Sequence, residues 1–169
     1  CQGGTMKTID CDTHYWPVDF LDRVNHPDKG YIEREDNDRV AFYRDGKLIH
    51  RFPTSRWELD KRKASMDKEG FDIQVMIPDN RPFLYELGDD LGNQMQCAFN
   101  DYAAEALDGE DRFIPVCWLY LPDMDGAVKE LRRCAEELNI RAVKLTGGYG
   151  DCDLDEEPMW PLFEMAEEY

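Results

Sequence analysis

Residues 9–17 read Ile9-Asp10-Cys11-Asp12-Thr13-His14-Tyr15-Trp16-Pro17, an apolar start followed by acidic, acidic and imidazole side chains at every second position. Alternate residues of an extended strand share one face, so we expect Asp10, Asp12 and His14 to project the same way. Pro17 should end the strand soon afterwards, because proline cannot donate to a ladder. Carboxylate oxygens and neutral imidazole nitrogens are ligands of zinc, manganese and iron. Asp12 and His14 are therefore candidate metal ligands, and they make half of a site.

The composition indicates a folded and strongly acidic domain. The chain has 169 residues, 42% of them hydrophobic, which is typical of one domain or part of a larger one. Its net charge of −17 disfavours binding to nucleic acid and to anionic lipid surfaces. No apolar run approaches the roughly 20 residues of a membrane span, and no signal peptide is visible. Six cysteines without a CxxC pair fit a reducing cytoplasm, where we expect the protein to be.

Strand and helix patterns alternate four times after a lead of residues 1–5, which we expect to be a tag or disordered. Strands are predicted at 7–12, 71–77, 113–119 and 140–145, and helices at 57–69, 91–106, from Asp123 or Asp125 to Leu138, and from Asp155 onwards. Such alternation predicts right-handed βαβ crossovers and a parallel sheet. An α/β fold of this kind is either a small doubly wound sheet or a (βα)4 unit, the first half of a TIM-type (β/α)8 barrel of roughly 250 residues.

An insertion of about residues 25–53 interrupts this alternation. It contains three short β-like pieces, 31–35, 40–44 and 47–52, separated by the turn signals Asp36-Asn37-Asp38 and Asp45-Gly46. We predict a small antiparallel hairpin after the first strand. Its two histidines, His26 and His50, have no carboxylate or thiolate at ligand spacing, so we expect both to be structural.

Polar and aromatic residues near the carboxyl ends of the predicted strands are further site candidates, because both architectures place their sites there. Asn80 follows the second strand beside Asp79, and the pair either caps the next segment or touches substrate. Lys144 lies in the fourth strand, where we expect its ammonium to extend from the end of the barrel, and it is a candidate for the substrate pocket. Tyr15 and Trp16 are candidate aromatic walls of that pocket.

Five segments together resemble the amidohydrolase-related metal enzymes, a family that includes aminocarboxymuconate-semialdehyde decarboxylase and the resorcylate and carboxyvanillate decarboxylases. The segments are 9–14 with Pro17, Arg62 and 66–72 running into Gln74-Val75, Asn100-Asp101, 112–116 and 142–145. The resemblance implies a (β/α)8 barrel with one divalent metal, zinc first and manganese or iron as alternatives. It also implies that Asp12 and His14 are two of the ligands, and that the remaining ligands come from strands with no counterpart in this chain.

Two reactions are compatible with such a metal site. In a hydrolase, a metal-bound hydroxide attacks an amide, an ester or a carbon–carbon bond beside a carbonyl. In a nonoxidative decarboxylase, the metal holds the substrate carboxylate and a neighbouring hydroxyl while the ring carbon is protonated. The resemblance favours the decarboxylase, a lyase acting on a small carboxylated, aromatic or enoic, substrate.

Two other interpretations stay open. The first is a non-catalytic half-barrel module for binding or assembly, in which exposed sheet edges would pair two copies into a homodimer. The second is a metal-free doubly wound binding domain, since a short Asp-X-His motif occurs by chance in many proteins. A homo-oligomer is compatible with the enzyme as well.

Overall fold

The computed structural model describes residues 6–16, 31–35, 38–44, 46–79 and 88–169. Its strands are β1 Ile9–Tyr15, β2 Tyr31–Glu35, β3 Arg39–Arg44, β4 Lys47–Pro53, β5 Ile73–Pro78, β6 Phe113–Pro115, β7 Cys117–Trp118, β8 Val143–Lys144, β9 Gly148–Tyr149 and β10 Cys152–Asp153. Its helices are α1 Leu59–Glu69, α2 Asp89–Leu107, α3 Met124–Glu136 and α4 Trp160–Ala166. Short 3₁₀ helices, Thr54–Arg56 and Glu157–Met159, lie just before α1 and α4. The predictions made for residues 1–5, Pro17, His26 and Asn80 concern positions outside the described residues.

The parallel strands neighbour one another in chain order. Strands β1, β5 and β6 form one parallel sheet in that order, and β7 pairs in parallel with β8. Only Val116 separates β6 from β7, so the predicted third strand carries the pairing from β5 on to β8. A doubly wound sheet reverses its strand order at a switch point, whereas a barrel does not. The order among the described strands is therefore that of half a barrel.

The third and fourth strands are shorter than the predicted 113–119 and 140–145. Pro115 has no backbone N–H, and the third strand is interrupted directly after it. Residues 113–115 pair with β5 on one side, and Cys117 and Trp118 pair with β8 on the other. The proline thus lies where the strand changes partners.

The insertion is a three-stranded antiparallel sheet in the order β2-β3-β4, and its strands lie within one residue of the three predicted β-like pieces. Trp16, at the end of β1, attaches this sheet to the barrel strands. Its ring meets those of Phe42 and Phe52 edge to face, with centroids 5.6 and 5.3 Å away. All three side chains are buried. The sheet therefore packs over the carboxyl end of the first barrel strand.

The helices begin and end close to the predicted residues, for local reasons. Helix α1 ends at Gly70, which has the positive φ of 81° that glycine tolerates, and its N–H donates to the carbonyl of Met66. The side chain of Asp123 caps α3 by accepting from the N–H of Gly126. None of the helices in the described ranges is both long and apolar enough to cross a bilayer.

Candidate metal centre

A β-bulge in the first strand determines which of its side chains reach the candidate site. Asp10 pairs with Gln74 and His14 with Ile77, so four steps in β1 correspond to three in β5. One extra residue reverses the alternation of faces along a strand. Asp10 therefore shares a face with Gln74, whose amide donates to the Asp10 carboxylate at 3.3 Å. The prediction that Asp10 projects together with Asp12 and His14 is wrong.

A cavity of about 390 Å³ brings the two predicted ligands together with the predicted lysine. Asp12, His14 and Lys144 all line it. The other lining residues are mainly apolar: Val75, Ile77, Val116, Ala142, Val143 and Leu145. Asp12 is exposed, and His14 and Lys144 are half-buried. The cavity thus presents a carboxylate, an imidazole and an ammonium group above an apolar floor.

Lys144 carries a positive charge into the electrostatic range of the candidate ligands. Its ammonium group donates to the carbonyl oxygen of Pro78 at 2.8 Å. Burial lowers the pKa of Lys144, while attraction by the carboxylates of Asp79 and Asp12 opposes that shift. The lysine is therefore placed to balance negative charge in the cavity, whether of these carboxylates or of an anionic ligand.

A second, more polar cavity of about 360 Å³ also reaches Asp12 and His14. Its remaining lining comes mostly from the start of α1 and the turn before it: Pro53, Ser55, Arg56, Arg62, Ser65 and Gln74. Arg56 pairs with the buried Asp79 at 2.6 Å and lies over the ring of Phe52. The carboxylate of Asp79 is thus already engaged by an arginine.

The aromatic candidates lie in the core. Tyr15 and Trp16 are 2% and 0% exposed, and neither lines the two cavities that contain Asp12 and His14. The indole N–H of Trp16 has no hydrogen-bond partner among the described residues. The described ring contacts of Trp16 are with Phe42 and Phe52 of the inserted sheet. The sequence of residues 9–17 alone did not predict these contacts.

The chemistry of Asp12 and His14 fits a divalent metal, and they are the two candidate ligands in the described part of the chain. Asp12 and His14 offer one carboxylate and one imidazole to the same cavity. No group of three His, Cys, Asp or Glu residues in the described ranges is arranged to hold a metal ion.

Arg62, which sequence reasoning identified only as part of the family resemblance, lies beside the site and lines its second cavity. Arg62 and Met66 are the two buried residues described in α1. The sequence signal for its burial was its spacing, since an arginine four residues before a core methionine lies on the same face of a helix.

Comparison with known proteins gives a consistent picture. A family model described as amidohydrolase matches residues 9–169. The 2-amino-3-carboxymuconate-6-semialdehyde decarboxylase of Dictyostelium discoideum is 26% identical over 124 residues, which are 73% of this chain and 34% of that protein. These findings confirm the resemblance drawn from the five sequence segments.

Two solved structures extend the comparison. The 5-carboxyvanillate decarboxylase of Novosphingobium aromaticivorans, complexed with manganese and 4-hydroxy-3-methoxy-5-nitrobenzoic acid, is 27% identical with a TM-score of 0.61, covering 68% of this chain and 33% of that one. IDCase of Metarhizium anisopliae has a TM-score of 0.74 at 18% identity, covering 97% and 48%, and supports the fold alone. This chain thus spans a third to a half of the length of these proteins, and the predicted half-barrel is confirmed.

Proposed function

We propose, from the premise that this chain belongs to the amidohydrolase family, that it forms the amino-terminal half of a metal-dependent enzyme acting on a small carboxylated substrate. The observation that carries the proposal is that Asp12, within the bulged stretch of β1, and His14, just beyond it, line one cavity with Lys144. Decarboxylation is the reaction we favour over hydrolysis. It is supported by the two decarboxylases that are 26% and 27% identical to this chain.

The residues of this chain would each have a distinct task in that reaction. Asp12 and His14 would hold one divalent cation, zinc as expected from the sequence or manganese as in the solved 5-carboxyvanillate decarboxylase. Such a cation supplies a Lewis acid that binds and polarises the substrate's oxygen atoms. The ammonium of Lys144 would bind the substrate carboxylate. The apolar side chains of Val75 and Ile77 would pack against an aromatic ring and exclude water.

The proposal is tested by metal binding rather than by turnover. The 169-residue chain is titrated with Zn²⁺ and with Mn²⁺ against a chelating indicator, and the retained metal is measured after dialysis. We expect Asp12→Ala and His14→Ala each to weaken binding by more than the roughly 10–100-fold that loss of an outer-shell partner costs. The reason is that each variant removes one of the two proposed direct ligands that line this cavity.

Two control variants make the result specific. His50→Ala removes an exposed histidine of β4 that packs on Phe52, and it should leave metal binding unchanged. Lys144→Met removes the cation of the cavity but neither ligand, so binding should stay equal or become tighter. Equal metal content in the wild-type chain and in His14→Ala would remove the ligand assignment and the proposal with it.

The second candidate is a non-catalytic half-barrel that pairs with another copy. Among the described strands, β1 and β8 each pair on one side only, which leaves two parallel edges for association. This candidate predicts a dimer that retains no metal, and sedimentation velocity on the titration samples distinguishes it. A chain that binds metal, whether as a monomer or as a dimer, would favour the enzyme.

A further inference from the structure

Arg62 is a buried arginine whose contacts are not explained by metal or substrate binding. It lies in the first turn of α1 and is 7% exposed. Burial lowers the pKa of its guanidinium to about 10, with smaller opposing contributions from Tyr15 and Asp10. Burying a charge lowers the stability of the fold unless the charged group is hydrogen-bonded. The hydrogen-bond partners of Arg62 therefore indicate which part of the structure it holds in place.

The guanidinium group holds three oxygen atoms, none of which belongs to a carboxylate. One terminal nitrogen donates to the carbonyl oxygens of His14 and Arg56, both at 2.8 Å. The other donates to the side-chain oxygen of Gln74 at 3.2 Å. The planar guanidinium of Arg62 therefore joins β1, β5 and the turn before α1. Its contact on β1 is with the backbone carbonyl of His14, the candidate metal ligand.

A second route of hydrogen bonds reaches the next carbonyl of the same strand. Arg56, whose carbonyl Arg62 holds, pairs through its own guanidinium with Asp79 at 2.6 Å. The backbone N–H of Asp79 donates to the carbonyl oxygen of Tyr15 at 3.2 Å. Two consecutive carbonyls of β1, those of residues 14 and 15, are thus held by one connected network.

We propose that Arg62 is a positioning residue that fixes the peptide group following His14 and thereby the direction in which the imidazole enters the cavity. The inference rests on the proposed function in one respect, since it assigns His14 the role of a metal ligand. Partners behind a ligand fix its orientation and raise its affinity for metal. The role needs the arginine fork, because the single ammonium of a lysine cannot keep the geometry of these three acceptors.

Arg112 offers a matched control at the other end of the sheet. It also holds two backbone carbonyls, those of Asp72 at 3.1 Å and Phe71 at 2.8 Å, and it pairs with Asp67. These carbonyls precede β5, at the amino end of the strand. Arg112→Met therefore removes a comparable clamp from the fold, but none of its described contacts is with β1.

The experiment compares Arg62→Met, Arg62→Lys and Arg112→Met with the wild-type chain by two readouts. The first is the affinity for Mn²⁺. The second, made without metal, is the set of imidazole signals in the ¹H–¹⁵N spectrum of protein labelled at its histidines. The chain has three histidines, so each signal can be assigned. Arg62→Met should weaken Mn²⁺ binding about 10–100-fold and shift or broaden the His14 signal alone. Arg62→Lys should restore neither readout fully, and Arg112→Met should change neither.

The two readouts separate this inference from the proposed function. An unchanged His14 signal in a folded Arg62→Met chain, or equal shifts of it in Arg62→Met and Arg112→Met, would overturn the positioning role. If Arg62→Met does not fold, Arg62→Lys is judged by the same criteria. A wild-type chain that binds no metal would contradict the proposed function, and the imidazole spectrum would still decide whether Arg62 orients His14.

Discussion

Glu130 is a buried carboxylate whose charge is held by neighbouring side chains. It is 3% exposed and accepts hydrogen bonds from Arg133 at 2.7 and 2.8 Å, from Asn100 at 2.8 Å and from the thiol of Cys97 at 3.2 Å. Burial alone would raise the pKa of Glu130, but these hydrogen bonds outweigh it and lower the pKa below its usual value. Relative to the protonated form, the ionised carboxylate of Glu130 is therefore favoured more in the folded chain than in the unfolded chain.

We predict that Glu130→Gln lowers the free energy of unfolding by about 1.5–3 kcal/mol at pH 7, the range for hydrogen bonds to a charged group. Because the folded pKa is the lower one, this contribution is complete above the unfolded value of 4.5 and disappears as the pH falls through the folded value. Urea unfolding of both chains at several pH values between neutral and acid measures the difference.

Glu137→Gln is the matched control, because Glu137 is an exposed glutamate at the end of the same helix. It should change stability by no more than about 0.5 kcal/mol, as for ordinary surface substitutions. A Glu130→Gln effect that grows as the pH falls below 4.5 would contradict the assignment of an ionised, stabilised carboxylate.

At the scale of elements, side chains of α2 hydrogen-bond to the backbone at the end of the third barrel strand. Asn100 accepts from the N–H of Trp118 at 2.9 Å and donates to its carbonyl at 3.0 Å. One turn earlier in the helix, Gln96 accepts from the N–H of Tyr120 at 2.8 Å. Side-chain amides of α2 thus satisfy backbone groups of Trp118, the last residue of β7, and of Tyr120, just after the end of the predicted strand 113–119.

We predict that Gln96→Met destabilises the chain by about 1–3 kcal/mol, because it leaves the buried N–H of Tyr120 without its acceptor while conserving side-chain volume. Gln94→Met is the control, since Gln94 is exposed on the same helix and undergoes the same chemical change. Chemical denaturation of both variants tests this. Equal stability of the two would show that the helix is not a hydrogen-bonding partner of this segment.

At the scale of the whole molecule, the excess of negative charge should oppose folding. The chain carries 37 acidic and 20 basic residues. Exposed ion pairs, such as that of Arg51 with Glu35, contribute on the order of 0–1 kcal/mol each. Compaction brings the remaining carboxylates closer together, and their repulsion destabilises the folded state.

We therefore predict that sodium chloride raises the melting temperature. Increasing the ionic strength from roughly 0.01 to 1 M shortens the screening length from about 30 to 3 Å, which should relieve about 1 kcal/mol of repulsion and raise Tm by about 2–4 °C. Differential scanning calorimetry with and without salt measures the shift. A Tm that falls with salt would mean that attractive ion pairs dominate instead.

The local pattern of residues was enough to predict the alternating strands and helices, with α1 ending at residue 69 and α3 beginning at Asp123 or Asp125, of which Asp123 is the cap. These features depend on neighbours within a few residues, through periodicity, backbone conformation and capping. Their order along the chain predicted a parallel α/β sheet but left a doubly wound sheet and a half-barrel open, and the resemblance to the amidohydrolase-related enzymes favoured the half-barrel. The roles of Asp12 and His14 as metal ligands stay a prediction.

Contacts between distant residues decided the rest. The bulge that turns Asp10 away from His14 exists only through the pairing of β1 with β5, more than sixty residues later in the chain. The burial of Trp16 depends on the inserted sheet, and the contact of Arg62 with His14 depends on how α1 packs. Register, burial and long-range hydrogen bonds are properties of the packed chain, because each needs a partner that spacing within one segment does not specify.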